Sequence, residues 1–342
     1  MRNKLSIFDV SPFIYSGMGM QDYKNAESFN FPIGGILNLM KHISYRLYAY
    51  TDIVLCFDSK SFRKDLSKSY KSHRQKSPQV YAQLDLLYEI LPKCGIVCLK
   101  RDGYEADDLI YNVVQENQSK YFEIEILGTD YDLTHNVAFP NVTFQGITRL
   151  VNSITPNNFS NGIVMGKTLY YNTISAYKVL CGDSSDTINS FKSTQGNLTG
   201  GFLYNKYAQL LERNRALPHI ARERKLLEQF IRGLEKYLTN EDYTELYRNM
   251  DLVFPVKLDG DFSEYTNLKG FDLKPLQSFL STIDDTVSLK SINKGFLGRD
   301  EEIVKRLKIT AKELLSGEYS VDHNRPFRDV GINTEVTNLK EF

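Results

Sequence analysis

The chain has 342 residues, 42% of them hydrophobic and 25% charged, and its 42 Lys+Arg balance 42 Asp+Glu to a formal net charge of zero. That length allows about two domains with a real core, and the composition argues against disorder over most of the chain. No apolar run approaches the ~18 residues that a membrane-spanning helix needs, and Met1-Arg2-Asn3-Lys4 leads into no stretch of signal-peptide length, so the expected compartment is the cytoplasm.

The first strand is expected over 4–10, KLSIFDV, ending near Asp9. IVLCF at 53–57 is a short continuous apolar run of the kind parallel strands show when both faces are covered, and Asp58 follows it. The stretch 60–76, KSFRKDLSKSYKSHRQK, is strongly basic. Ser77-Pro78 then makes an N-cap and first helical position, and Leu84, Leu87, Tyr88 and Leu91 recur at helical spacing until Pro92 and Gly95 stop it. GIVCLK at 95–100 reads as a strand, Glu105–Glu116 as a helix with Leu109, Ile110, Val113 and Val114 inward, and EIEIL at 123–127 as another strand.

Strands alternating with helices predict an α/β fold, a mostly parallel sheet flanked by helices. After about residue 168 the apolar spacing turns helical, with one face carrying Leu227, Phe230, Ile231, Leu234 and Leu238. Two further faces are expected at 273–283 and 303–315, before a polar tail from 318. The expected organisation is therefore an α/β core over 1–167, a smaller helical region over 168–317 and a tail over 318–342.

Cys56, Cys94, Cys98 and Cys181 contain no CxxC pair, and the five histidines show no HExxH spacing. Zinc chemistry is not expected, and the cysteines read as small buried hydrophobes. The carboxylates are more informative. Asp9, Asp58, Asp130 and Asp132, with Glu105, Asp107 and Asp108, all fall just beyond the carboxyl ends of predicted strands, where open parallel sheets build their sites. GDSSD adds Asp183 and Asp186 at i, i+3. One such acid is an ordinary turn former or cap. So many together repel one another unless divalent cations lie among them, and oxygen-only ligands favour Mg²⁺ or Mn²⁺. Two such ions about 3.5–4 Å apart are the usual device for displacement at a phosphodiester.

The basic stretch is the complement. Lys60, Arg63, Lys64, Lys68, Lys71, Arg74 and Lys76 stand against Asp65 alone, with Phe62 and Tyr70 interleaved. Cations for phosphates with aromatics for bases suit single-stranded nucleic acid. Residues 206–236 hold a second excess of Lys and Arg over Glu. The zero net charge thus conceals separate acidic and basic poles, and does not argue against a nucleic-acid partner.

FDVSPFIYSG, FDSKSFRKDLSKSYKSHR, GYEADDLI, GTDYDLTH and KVLCGDSSDTI occur in the order and at roughly the spacing of the motifs of the 5′ nuclease (flap endonuclease) family. RNMDLVFPV, ahead of a short helical C-terminal region, looks most like the phage ribonuclease H branch of that family. The resemblance implies a PIN/5′ nuclease-like core with a basic helical arch at about 60–92. It implies two Mg²⁺ (or Mn²⁺), the first on Asp9, Asp58, Glu105 and Asp107, the second on Asp130, Asp132, Asp183 and Asp186, with Asp108 shared or behind them. Lys71 and Arg74 match the basic pair that reaches the scissile phosphate. Arg63, Lys64, Lys68 and Tyr70 are expected to contact the 5′ strand, and Lys192 and Lys206 the duplex. The implied partners are branched or nicked duplex DNA and RNA–DNA hybrids, handled by a monomer during primer removal in the host cytoplasm. The terminal VTNLKEF is a candidate peptide for a sliding clamp or a single-strand-binding protein.

The sequence departs from the family pattern at Gly128 for Ser, His135 for Gln and Thr187 for Asn. NSFKSTQGNLTGGFLYNK also replaces the family's glycine-rich duplex-binding hairpin. Three rivals stand beside this reading, one of them a generic phosphate-handling α/β protein, which leaves the basic stretch unexplained. A minimal PIN-type ribonuclease would lack the basic stretch and GDSSD, and a non-catalytic structure-specific binder would have lost carboxylates.

Overall fold

The computed structural model describes residues 2–18, 34–49, 51–74, 78–147, 153–155, 162–164, 167–169, 173–213, 220–267, 270–272 and 274–275. The architecture below is that of one compact unit, residues 1–19 and 30–271. Five strands, β1 (Arg2–Asp9), β2 (Asp52–Cys56), β3 (Cys98–Leu99), β4 (Tyr121–Gly128) and β5 (Val142–Gly146), form one sheet in the order β3-β2-β1-β4-β5. Every neighbouring pair is parallel. The α/β sheet expected from the sequence is therefore present.

Strand periodicity assigns the two faces of this sheet. Leu5 and Ile7 of β1, Val54 and Cys56 of β2, and Ile124 and Ile126 of β4 enter one apolar cluster with α5 (Ala106–Asn117), where Leu109, Ile110, Val113 and Val114 point inward. Phe8 points the other way and meets Phe13 of α1 (Val10–Met18) at 5.5 Å between ring centroids. On that side α1 packs with α2 (Gly34–Tyr48) and α4 (Pro78–Ile90).

β3 is shorter than the expected 95–100 strand. Gly95, at φ 77°, closes the helical turn Leu91–Cys94, and Ile96 N–H still bonds back to Leu91 O, so the chain extends only afterwards. The basic stretch also differs from expectation. Its described part holds only the single-turn α3 (Arg63–Leu66), followed by turns through residue 73, and is not a continuous helix. Lys71 at φ 50° interrupts helical geometry, and its N–H bonds to Asp186 O, which lays the stretch down on the GDSSD loop.

After a hairpin of β6 (Gly162–Val164) and β7 (Lys167–Leu169), the chain is helical: α6 (Ile174–Cys181), α7 (Gly200–Arg213), α8 (Ile220–Arg232) and α9 (Asn240–Val253). Leu227 and Ile231 of α8 are fully buried, as their spacing predicts. Leu203, Tyr207, Leu246 and Met250 join the same cluster as β1 and α5, so the apolar core runs on across the expected division at 167/168. The faces expected at 273–283 and 303–315, and the tail, lie outside the described residues.

Candidate active site

The sheet reverses its winding between β1 and β4, the place where ligands collect at the carboxyl ends of parallel strands. Asp9 is the last residue of β1, Asp58 lies just past β2, Glu105 is the N-cap of α5 with Asp107 in its first turn, and Asp130 follows β4. Together with Asp132 and Asp183 they line one cavity of about 760 Å³. Asp186 joins from below: oxygens of Asp132, Asp183 and Asp186 lie within 4.8 Å of one another. Gly128 opens room for this. A Cβ there would stand 3.0 Å from Leu133 Cδ1 and 3.4 Å from the Asp9 Cβ, so a side chain would press on the carboxylate floor.

Backbone amides fix the acids in place. Asp58 Oδ1 accepts from Ala106 N at 2.9 Å, capping α5, while its Oδ2 accepts from Ser11 Oγ at 2.7 Å. Asp130 accepts from Asp132 N at 3.0 Å. Asp183 accepts from both Ser185 N and Ser185 Oγ, and exchanges backbone bonds with Ile188, closing GDSSDTI into a tight loop. Gly182 at φ 80° admits no side chain, since a Cβ would lie 2.5 Å from Ser190 N. Thr187, at φ 60°, holds a conformation costly for a β-branched residue and bonds His73 at 2.9 Å, tying this loop to the basic stretch.

Cations partly compensate the acids. Lys71 Nζ bonds Glu105 Oε1 at 2.9 Å and lies 3.8 Å from Asp186, and Arg74 reaches Asp186 at 2.6 Å. Lys178 of α6 lies 2.5 Å from Asp132 and 2.6 Å from Asp183. Burial, then the neighbouring Asp58 and Asp130, hold the Asp9 carboxyl well above its usual range. Asp107 is raised likewise, by burial and then by Asp130 and Asp9. Burial and Asp130 push Asp132 up to about 7 despite Lys178. Burial raises Asp130 and Asp183 too, but Lys178 together with the hydrogen bonds each accepts, and Lys71 in the case of Asp130, brings both down on balance. The floor is thus short of positive charge at Asp9, Asp107 and Asp132.

The family model described as "5′-3′ exonuclease, N-terminal resolvase-like domain" matches residues 4–162. A 5′-3′ exonuclease of Buchnera aphidicola subsp. Schizaphis graminum is 29% identical over 232 residues, 64% of this chain and 77% of the relative. One from Aquifex aeolicus is 26% identical over 304 residues, 85% of this chain and 96% of the relative. Residues 4–162 thus carry the N-terminal domain of the 5′ nuclease family. As a 5′ nuclease it is a phosphodiester hydrolase. Among solved structures, T5 5′-exonuclease with bound zinc overlays at a TM-score of 0.48 and 17% identity, over 73% of this chain and 89% of that one.

In this 5′ nuclease eight of the nine expected carboxylates converge. Asp108 does not. It is fully buried, takes two bonds from Arg63 at 2.7 and 2.8 Å, and accepts from Glu105 N and Val256 N, which leaves it facing away from the cavity. Arg63 is corrected with it: its side chain is 3% exposed and also donates to Leu252 O and Phe254 O, so it holds RNMDLVFPV against α5 and is not free to meet nucleic acid. Tyr70 is buried too, its hydroxyl donating to Glu105 at 3.0 Å, which removes it as a stacking surface. Lys64 is half-buried and Lys68 is exposed, both on the basic stretch. Lys192 and Lys206 are exposed and line neither cavity at the site, with Lys206 lying over the Phe202 ring at 5.6 Å.

Of the cavity residues not read from the sequence, two matter most to its chemistry. Lys178 is the more important, and its signal was a lone cation inside the otherwise apolar ISAYKVLC. Tyr15, half-exposed on the cavity wall, is the other. It lies on the helix that starts directly after Asp9, six residues on.

The donor set suits a hard divalent ion. Its charged oxygens are all carboxylates, burial and mutual repulsion raise three of them, and Asp132 Oδ1 is buried without a hydrogen-bond partner among the described residues. Asp132, Asp183 and Asp186 are close enough together to share one ion, and the ammonium of Lys178 already stands beside two of them.

Proposed function

We propose that the chain is a Mg²⁺- or Mn²⁺-dependent 5′→3′ exonuclease and flap endonuclease, hydrolysing RNA or DNA at the 5′ end of a duplex or branch. The observation that carries this reading is the convergence of eight carboxylates on one floor bordered by Lys71 and Arg74. One ion would be held by Asp9, Asp58, Glu105 and Asp107, and another by Asp130, Asp132, Asp183 and Asp186. Bound there, such ions activate water and neutralise charge on the phosphate.

The chain's own residues do the rest. Lys71 and Arg74 stand over the cavity and bring positive charge to the non-bridging oxygens as negative charge develops on them. Their present partners, Glu105 and Asp186, aim both side chains at the floor. Tyr15 offers a ring on which a base can stack beside the scissile bond. Lys64 and Lys68 steer the 5′ strand, and Lys192 and Lys206 contact duplex phosphates further off. The substrates are branched or nicked DNA and RNA–DNA hybrids, acted on by a monomer during primer removal in phage-type replication. RNMDLVFPV supports a nearer kinship to T-even phage ribonuclease H.

Purified protein on a labelled 5′-flap substrate tests this. Cleavage is expected only with Mg²⁺ or Mn²⁺, and Asp130→Asn should lower it by on the order of a hundredfold or more. Equal activity of wild type and variant would remove the metal assignment.

A further inference from the structure

Behind the carboxylate floor lies a second, smaller cavity of about 20 Å³. Glu105, Asp107, Asp132 and Lys178 line this cavity as well as the active site, and His135, on the same helical turns as Asp132, faces it with Tyr70. The volume suffices for one water molecule, which needs two to four polar partners. His135 is 3% exposed, and both of its ring nitrogens are buried with no hydrogen-bond partner among the described residues. Asp132 Oδ1 is in the same condition, although its Oδ2 accepts from Lys178 at 2.5 Å.

Three polar atoms of two residues that share one cavity are therefore left without partners, where buried groups are ordinarily satisfied. A neutral imidazole carries one donor and one acceptor on different edges of the ring, so whichever nitrogen faces the cavity can bond a single water there, as donor or as acceptor according to the tautomer. A carboxylate oxygen only accepts, and it keeps a second lone pair for a metal ion.

We propose that this cavity holds one ordered water bridging His135 to Asp132 Oδ1, which makes His135 a positioning residue for the second metal group. Lys178 holds the Asp132 carboxylate by one oxygen and the water holds it by the other, so its plane is fixed before an ion arrives. Outer partners of this kind commonly set metal affinity. The inference rests on the metal reading proposed above.

The test is Mn²⁺ binding to the full chain, followed by electron paramagnetic resonance of the free ion, for wild type, His135→Leu and His135→Gln. His135→Leu should weaken Mn²⁺ binding by about tenfold. His135→Gln keeps a donor and an acceptor and should recover most of that loss, which a purely space-filling role does not predict. A folded His135→Leu protein with unchanged Mn²⁺ affinity overturns the proposal while leaving the metal reading intact. Wild type that binds no Mn²⁺ overturns both. A high-resolution crystal structure decides the matter even if His135→Leu fails to fold. A water within hydrogen-bond distance of a His135 ring nitrogen and Asp132 Oδ1 is expected, and a dry cavity refutes it.

Discussion

Arg63 and Lys71 belong to one basic stretch, and Asp108 and Glu105 to one helix start, yet the two ion pairs they form live in different surroundings. Arg63–Asp108 is bidentate, almost wholly buried and joined by the carbonyls of Leu252 and Phe254. Lys71–Glu105 is a single contact of 2.9 Å on the wall of a large cavity. The difference is in how many fixed acceptors surround the cation. Arg63 has every donor group engaged by protein and can only hold structure. Lys71 has donors to spare and faces the space a phosphate would occupy.

Arg63→Ala should give the largest effect, because it strands a buried carboxylate. Stability should fall by about 3–5 kcal/mol in urea unfolding, with substrate affinity per folded molecule unchanged. Intact stability with lost binding would break the comparison. Lys71→Ala should do the reverse. Stability should scarcely move, while turnover falls by on the order of 10²–10³ and KM stays near its wild-type value. A loss confined to KM would make Lys71 a binding residue only.

Lys178 shares features of both pairs, being buried like Arg63 and part of the cavity wall like Lys71. Its ammonium is held charged by Asp132, Asp130 and Asp183, which outweigh the burial that would lower it. Lys178→Met should cost about 1–3 kcal/mol without metal, less than Arg63→Ala because the cavity admits water to the freed acids. Mg²⁺ should then raise the variant's Tm more than that of wild type, since the ion replaces the missing charge. An equal rise in both would show that Lys178 and the ion do not share a site.

Glu223 is the contrasting acid, buried with no ion-pair partner among the described residues. Its Oε1 accepts from Ala176 N at 3.0 Å near the start of α6, and burial, offset in part by that bond, pushes it up to about 8 from an ordinary 4.5. The folded state therefore binds this proton more tightly than the unfolded chain. The stabilisation is fully present below about pH 4.5 and is lost as pH rises toward 8, with a slope of at most about 1.4 kcal/mol per pH unit. Glu223→Gln should flatten that slope in thermal unfolding measured from pH 5 to 8. An unchanged slope would place the titrating group elsewhere.

The same contrast explains what could be read in advance. The sheet, α4, α5 and the strand-end acids were legible because periodicity and chain position fix them locally. Asp108 was left open between sharing a metal and standing behind the others because it adjoins Asp107 in GYEADDLI, and only packing against RNMDLVFPV shows that it stands behind. Arg63 and Tyr70 were misread for the same reason, since composition marks a segment as basic and aromatic without saying which side chains a distant helix covers. Lys178 was passed over because its partners are 46 residues upstream and five downstream, a pairing that no local pattern encodes.

The smallest expected effect belongs to the exposed cations. Lys68 has no ion-pair partner among the described residues and projects from the stretch whose Lys71 and Arg74 are bound to the floor. Removing it should leave stability within about 0.5 kcal/mol of wild type. If it meets one phosphate, Lys68→Ala should reduce the slope of log affinity against log salt by about 0.7–0.9, and weaken binding alike on flaps of different sequence. The reason is counterion release: a cation acting through phosphate charge alone reads no base and contributes in proportion to the ions it displaces. Arg63→Ala, by the same measurement, should leave the slope as it was. Should Arg63→Ala change the slope and Lys68→Ala not, the division between buried and working cations would have to be reversed.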